Sequence, residues 1–258
     1  MRVEIFLIDV HCHANLYLTI EDIVKDAFNA GVEKIIAVAM SALSQERILE
    51  ISQKFNAIYP ALGIHPEEVR MNEKIKDQLE DIENFINSNK DKIVAIGEVG
   101  LDHYFIKNEE LYPLQKRIFL RMLELAQSLR LPVIIHSKGA EQLIFDSLSS
   151  YNIPKINIHW YSGPENLLKL GIDRGYYFSI TPAINYSPAV KKTVVSVDAE
   201  HLLLESDGPV EFSRKAGTPA MIKEVLSSIS KLKNIPIDEL EEQIYKNTAN
   251  IFPRIFKD

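Results

Sequence analysis

A single cysteine, Cys12, is present, so no intramolecular disulfide can form, and a reducing compartment is the simplest reading. No apolar run approaches the roughly 18 residues that a membrane span requires. The opening MRVEIFLID is too short and too charged for a secretory leader, and it lacks a small-residue cleavage site. These absences give the expectation of a soluble cytoplasmic protein without membrane attachment or a stable protein partner. Positive charge is also scarce: Lys plus Arg total 29 against 36 Asp plus Glu, for a net charge of −7 and a pI near 5.6. A long basic groove for nucleic acid would need the opposite balance. There is no internal repeat, low-complexity tract or linker. No Gly-rich phosphate loop follows the first apolar run either, since VEIFLIDV leads into HCHANLYL, which counts against a dinucleotide-binding open sheet.

What remains is an ordinary globular composition, 46% apolar and 25% charged. A chain of 258 residues can bury roughly three quarters of its unfolded surface, so it needs no metal merely to fold. Short apolar, β-branched runs recur at 3–10, 34–40, 57–64, 92–99, 131–137, 155–160, 175–180 and 201–206. Several are apolar almost throughout, as expected of parallel strands covered on both faces. Between them lie segments of helical period, clearest at 20–30 and 111–129. Gly31 stands where a C-terminal cap belongs, and 217–252 reads as two helices broken around Asn234–Pro236, with Asp238 as an N-cap. Eight strand–helix units of about 32 residues predict an α/β fold, a (β/α)8 TIM barrel forming one domain over 1–258.

The reactive residues are placed as such a barrel would place them. His11 and His13 follow the first run and His65 the third; Glu98 ends the fourth, His136 the fifth and His159 the sixth; Asp207 follows the eighth. The carboxyl ends of barrel strands form one mouth, so residues remote in sequence converge there. His11 and His13 are two apart in an extended segment, which puts both imidazoles on one face and turns Cys12 toward the helix layer as a small buried hydrophobe. Glu98 closes an apolar strand, where a carboxylate is costly unless paired or bound to a cation. Gly97 and Gly100 beside it permit close backbone approach. Asp102 reads either as an orienter of a ligand or as a turn residue, and Glu205 either as an orienter or as an ion-pair partner. His103 could face substrate, whereas His201 reads as structural.

Four histidines with Glu98 and Asp207 exceed the about three protein ligands of a single catalytic zinc, which points to two divalent ions. Glu98, with two oxygens, is the natural bridge. Two ions about 3.5–4 Å apart suit hydrolysis, above all of phosphate esters. Mixed imidazole and carboxylate donors admit zinc, manganese or magnesium.

The segments HCH (11–13), GIHP (63–66), AIGEVGLD (95–102), PVIIHS (132–137), HWYSG (159–163) and LLLESDGP (202–209) together resemble the TatD family of metal-dependent deoxyribonucleases, within the amidohydrolase-like barrels. The resemblance runs from residue 8 to about 252, with the six motifs in order. It implies a hydrolase acting on DNA 3′ ends or other phosphodiesters, with His11, His13, Glu98 and Asp207 on one metal and Glu98, His136 and His159 on the second. Asp207 and Glu98 are then the catalytic carboxylates, Asp207 taking a proton from the attacking water. His65 matches a position near the substrate phosphate and Lys138 a basic position favouring phosphate. Trp160-Tyr161 replaces the usual Cys-Phe, and Ser206 stands where Thr is usual. The stretch 213–219, with Arg214 and Lys215, departs from the family's longer Arg- and Gly-rich loop. Trp160 and Tyr161 are expected to stack on a base or to pack the loop, and Arg214 to face substrate. The competing readings are a hydrolase of amides, lactones or aminoacyl-tRNA esters, and a non-catalytic metal-binding protein. Many barrel amidohydrolases bridge their metals with a carboxylated lysine where this chain has Glu98, which favours the TatD-like reading.

Overall fold

The computed structural model describes residues 5–256; Val3 and Glu4 of the first predicted strand, with the remaining terminal residues of 1–258, lie outside them. Strands and helices alternate as β1 (Leu7–Cys12), α1 (Ile20–Asn29), β2 (Val32–Val38), α2 (Ala42–Lys54), β3 (Ile58–Leu62), α3 (Glu68–Met71), α4 (Ile75–Ser88), β4 (Ala95–Asp102), α5 (Tyr112–Leu129), β5 (Val133–Lys138) and α6 (Glu141–Leu148). They continue as β6 (Ile156–His159), α7 (Glu165–Asp173), β7 (Tyr177–Ile180), α8 (Pro188–Ser196), β8 (Leu202–Leu204), a hairpin of β9 (Glu211–Phe212) and β10 (Lys215–Ala216), α9 (Ile222–Lys233) and α10 (Ile237–Ile251). The first eight strands form one sheet in sequence order, each parallel to the next. The circle closes at its mouth, where Asp207 N–H donates to His11 O at 2.9 Å and His13 N–H donates to Gly208 O at 2.8 Å. This is the (β/α)8 barrel the periodicity predicts.

The helices present apolar faces to the outside of the strands. In α5, Ile118, Phe119, Met122, Leu123 and Ala126 are buried, Pro113 sits in the first turn and Arg130 ends the helix with a left-handed φ of 54°. The break between α9 and α10 falls at Asn234, φ 53°, as predicted. Asp238 is not the N-cap; that position is Pro236, and Asp238 lies in the first turn, where its charge still complements the helix dipole.

Two apolar layers follow from strand alternation. One joins strand residues to the helices and includes Cys12. The other gathers Ile8, Val10, Ile36, Val38, Ala61, Ala95, Ile134, Tyr177 and Leu203 inside the barrel, above Ile251, Phe252 and Ile255. Simple alternation would send residues 8, 10 and 12 of β1 to one face. An extra residue interrupts that order: Asp9 pairs with Ile35 but Cys12 with Ala37. The bulge reverses the phase, so Val10 packs inside below and His11 and His13 reach the interior above. In β4 the same device lies between Ile96 and Val99, and it admits Glu98. The strand then runs on to pair Asp102 with Lys138, so Glu98 lies within β4 rather than at its end.

Asp9, which sequence reasoning passed over, holds the seam between β8 and β1. It is fully buried and accepts from Ser206 N (2.9 Å), Ser206 Oγ (2.5 Å) and His11 N (3.1 Å). Burial pushes its carboxyl up to about 7. Asp9→Ala strands these donors, each costing about 1–3 kcal/mol. Thermal unfolding of that variant is expected at a midpoint lower by several degrees or more, since about 1 kcal/mol shifts Tm by about 2–4 °C at this size. An unchanged melting curve would contradict the role given to Asp9.

Candidate metal centre

The mouth holds a cavity of about 480 Å³ whose lining includes His13, His65, Glu98, Asp102, His136, Lys138, His159, Trp160 and Asp207. Glu98 is the hub. Its Oε2 lies 3.3 Å from His11 Nε2 and 3.6 Å from His13 Nε2. Its Oε1 lies 2.9 Å from His136 Nδ1, 3.5 Å from His65 Nε2 and 3.9 Å from His159 Nε2. Asp207 faces the same group, with Oδ1 3.5 Å from His11 Nε2 and 3.3 Å from His13 Nε2, and Oδ2 3.8 Å from His159 Nε2. The backbone at Asp207 has φ 48°, a conformation non-glycine residues rarely adopt, held by its hydrogen bond to His11 O.

These groups fit divalent cations. Two ligand atoms about 2.1 Å from a tetrahedral ion lie about 3.4 Å apart, close to the spacings around His11 and His13. Both ring nitrogens of His11 and Nδ1 of His13 are buried without a hydrogen-bond partner among the described residues. Three overlapping sets could each hold an ion: His11, His13 and Asp207; His11, Glu98 and His159; His65, Glu98 and His136. Glu98 enters two of them, and His136 and His159, expected on one ion, fall in different sets.

The charges of the cluster act on one another. Burial lowers His11 and His136, but Glu98 beside both, Asp207 beside His11 and Asp102 beside His136 more than offset it and raise each to about 9. Burial works against the ionised Glu98, yet the surrounding imidazoles hold it well below the usual carboxylate range. Burial drives His159 well below the usual imidazole range.

Two carboxylates set the imidazole orientations. Asp102 Oδ2 is 2.9 Å from His136 Nε2, leaving Nδ1 to face Glu98. Its Oδ1 accepts from Tyr104 N (2.9 Å) and Phe105 N (2.7 Å). Glu205 Oε2 is 2.9 Å from His159 Nδ1, leaving Nε2 to face Glu98 and Asp207; its Oε1 accepts from Trp160 N at 3.0 Å. Each of the two carboxylates thus lies against an imidazole, the placement an orienting role requires. Carboxylates that fix a ligand imidazole typically matter 10–100-fold to metal affinity. Glu205→Gln is therefore expected to weaken metal binding by about that factor, readable by calorimetric titration of the chelator-stripped protein. An affinity equal to wild type would remove Glu205 from this role. Gly100 has a matching steric duty: a Cβ there would lie 2.0 Å from His136 O.

His65 stands differently from the other histidines. Its Nδ1 accepts from Glu67 N at 3.2 Å, so Nε2 carries the hydrogen and is a donor. Burial pushes it down to about 3, which keeps the ring neutral. That N–H lies at the cavity, 3.2 Å from His136 Nδ1 and 3.5 Å from Glu98 Oε1, so a phosphate oxygen would have to compete with these groups for it. Lys138 also lines the cavity, but two of its three donors are already directed to Trp160 O (2.9 Å) and Ser162 Oγ (3.0 Å).

Two expected substrate contacts need correction. Tyr161 is 1% exposed; its ring packs on Phe145 and Phe178 and its hydroxyl donates to Pro164 O at 2.6 Å, so it is core. Strand alternation would put Tyr161 on the face of His159, but β6 ends at His159 and Trp160 has φ 40°, so Tyr161 is turned into the helix layer. Arg214 lies exposed in the turn of the β9–β10 hairpin with φ 69°, and it is not among the residues lining the cavity. The two-residue strands flanking it carry too little pattern to show a hairpin in the sequence. His103 stacks on Tyr112, ring centroids 3.5 Å apart, and does not line the cavity either. His201 packs against Tyr177 as a structural residue, as expected. Arg70 and Phe105 do line the cavity and were missed. Arg70 sits on α3, paired with Glu67, where a short helix leaves no periodic signal.

A family model described as TatD related DNase matches residues 8–253. The chain belongs to this family. A protein of Methanocaldococcus jannaschii described as an uncharacterized metal-dependent hydrolase is 35% identical, with 97% of this chain and 98% of that protein covered. Human deoxyribonuclease TATDN3 is 31% identical over 96% of this chain and 95% of its own. Among solved structures, the TatD homolog YjjV of Escherichia coli superposes with a TM-score of 0.87 at 26% identity, covering 96% of this chain and 98% of that one. No helix among the described residues is long and apolar enough to cross a membrane.

Proposed function

We propose that this TatD-family chain, a metal-dependent hydrolase, cleaves phosphodiester bonds of DNA at 3′ ends with two divalent ions, zinc, manganese or magnesium. The observation that carries the reading is Glu98, whose two oxygens face two separate groups of imidazoles. His11, His13, Glu98 and Asp207 would hold one ion, and Glu98, His136 and His159 the other. Bound there, the ions would supply a water ionised near neutral pH and counter the charge of the phosphate. Asp207 accepts the proton of the attacking water. The His65 Nε2–H and the remaining donor of Lys138 hold phosphate oxygens as charge develops on them. The acidic net charge of the chain suits a grip on a short end rather than on a long tract.

A panel of activated phosphodiesters, lactones and amides with each metal tests the reading. Turnover confined to phosphodiesters supports it, and turnover confined to lactones or amides replaces it with the amidohydrolase alternative. Metal loading is also expected to release protons at neutral pH. With His11 and His136 raised to about 9, both rings are charged at pH 7 and must lose a proton to bind a cation. Affinity should therefore rise with pH from 7 toward 9. Titration calorimetry in buffers of different ionisation enthalpy reads the proton count directly, and buffer-independent heats would contradict it.

A further inference from the structure

We infer that the β4–α5 wall of the cavity, centred on Phe105, is a nucleobase subsite, a reading that rests on the phosphodiesterase function proposed above. Phe105 is 70% exposed and lines a cavity whose other lining residues are mostly charged or imidazole groups. Met40 and Ile106 line the same cavity and give it an apolar patch beside the metal-type residues. A large aromatic ring left in water at such a place calls for an apolar or planar occupant.

Trp160, the aromatic the sequence points to, is less able to serve. Lys138 Nζ lies over its ring, 4.7 Å from the centroid, and Phe212 packs at 5.4 Å with a 48° tilt. Among the described residues Phe105 makes one aromatic contact, with the edge-on ring of Tyr104 at 4.8 Å and 89°. That geometry steadies Phe105 while leaving a face open.

The ring is also positioned by the catalytic frame. Asp102 Oδ1 accepts from Phe105 N while Oδ2 faces His136, so one carboxylate fixes both the imidazole beside Glu98 and the start of the aromatic wall. A base stacked on Phe105 would thus lie beside the groups proposed to hold the phosphate. Stacking on an aromatic side chain does not depend on base identity, so the subsite selects a nucleoside over a bare phosphodiester without reading sequence.

The test compares a short single-stranded oligonucleotide with the same strand carrying tetrahydrofuran abasic residues at both ends. Wild-type protein should show a KM lower by about 5- to 100-fold for the strand with bases. Phe105→Ala should lose that preference by raising KM for the base-bearing strand alone, with kcat and metal stoichiometry unchanged, and Phe105→Trp should restore it. Equal KM for both strands in wild type overturns the subsite, as does an unchanged preference in Phe105→Ala. Loss of turnover on both strands alike in that variant also overturns it, because it would make Phe105 structural. Wild-type protein that cleaves neither strand with any metal removes the phosphodiesterase reading itself, and the subsite with it.

Discussion

Glu98→Gln is expected to lower hydrolysis by at least about 1,000-fold and to reduce bound metal from two ions per chain to one or none. The side chain keeps its size, so the fold has no steric reason to change. Its chemistry changes at the decisive point, because one carboxylate oxygen becomes an NH2 donor with no lone pair for a cation. Glu98 Oε2 faces His11 and His13 while Oε1 faces His136, His65 and His159, so either amide orientation disables one side. Charge stabilisation by a catalytic metal is worth several kcal/mol, and about 4 kcal/mol corresponds to about 1,000-fold. The variant also removes the anion that raises His11 and His136. Elemental analysis and a circular dichroism spectrum of the purified variant separate lost metal from lost fold. Two ions and wild-type rates in a folded variant would remove Glu98 from the bridging position.

Asp207→Asn is expected to lower kcat by about 100- to 10,000-fold, the range for loss of a positioned general base, with a smaller effect on KM. The variant retains Oδ1 as a ligand atom for the His11 and His13 side but cannot take a proton from water. Its backbone N–H still donates to His11 O, so the seam of the barrel persists. Steady-state kinetics of the metal-saturated variant check this. A metal-loaded variant with normal kcat would assign the base elsewhere.

The barrel and the convergence of most residues of the candidate metal site were legible in the sequence because both obey strong local rules. Buried parallel strands need continuous apolar runs, and a His, Glu or Asp at the end of such a run has few inexpensive structural roles. The inward phase of His11, His13 and Glu98 was a different matter. It depends on bulges in β1 and β4, which shift side-chain parity by one residue and leave only a faint trace, such as Gly97 beside Glu98. Asp9 was hidden for the same reason, since it lies at the bulge and its partner Ser206 is 197 residues away. The aromatic assignment failed where local order decided: Tyr161 follows Trp160 directly yet turns into the helix layer, while Phe105, which carries no signal in the sequence, stands exposed beside the cavity. Rim residues on short elements, Arg70 and Arg214 among them, carry no periodicity from which direction can be read.

The most direct test of the central claim is digestion of 3′-labelled single-stranded DNA by protein stripped with a chelator and then restored with zinc, manganese or magnesium. The stripped protein should be inert. Stepwise loss of the label should return with metal and saturate near two ions per chain. Cleavage that survives chelation, or full metal loading with no cleavage of DNA by any of the three metals, would contradict the account.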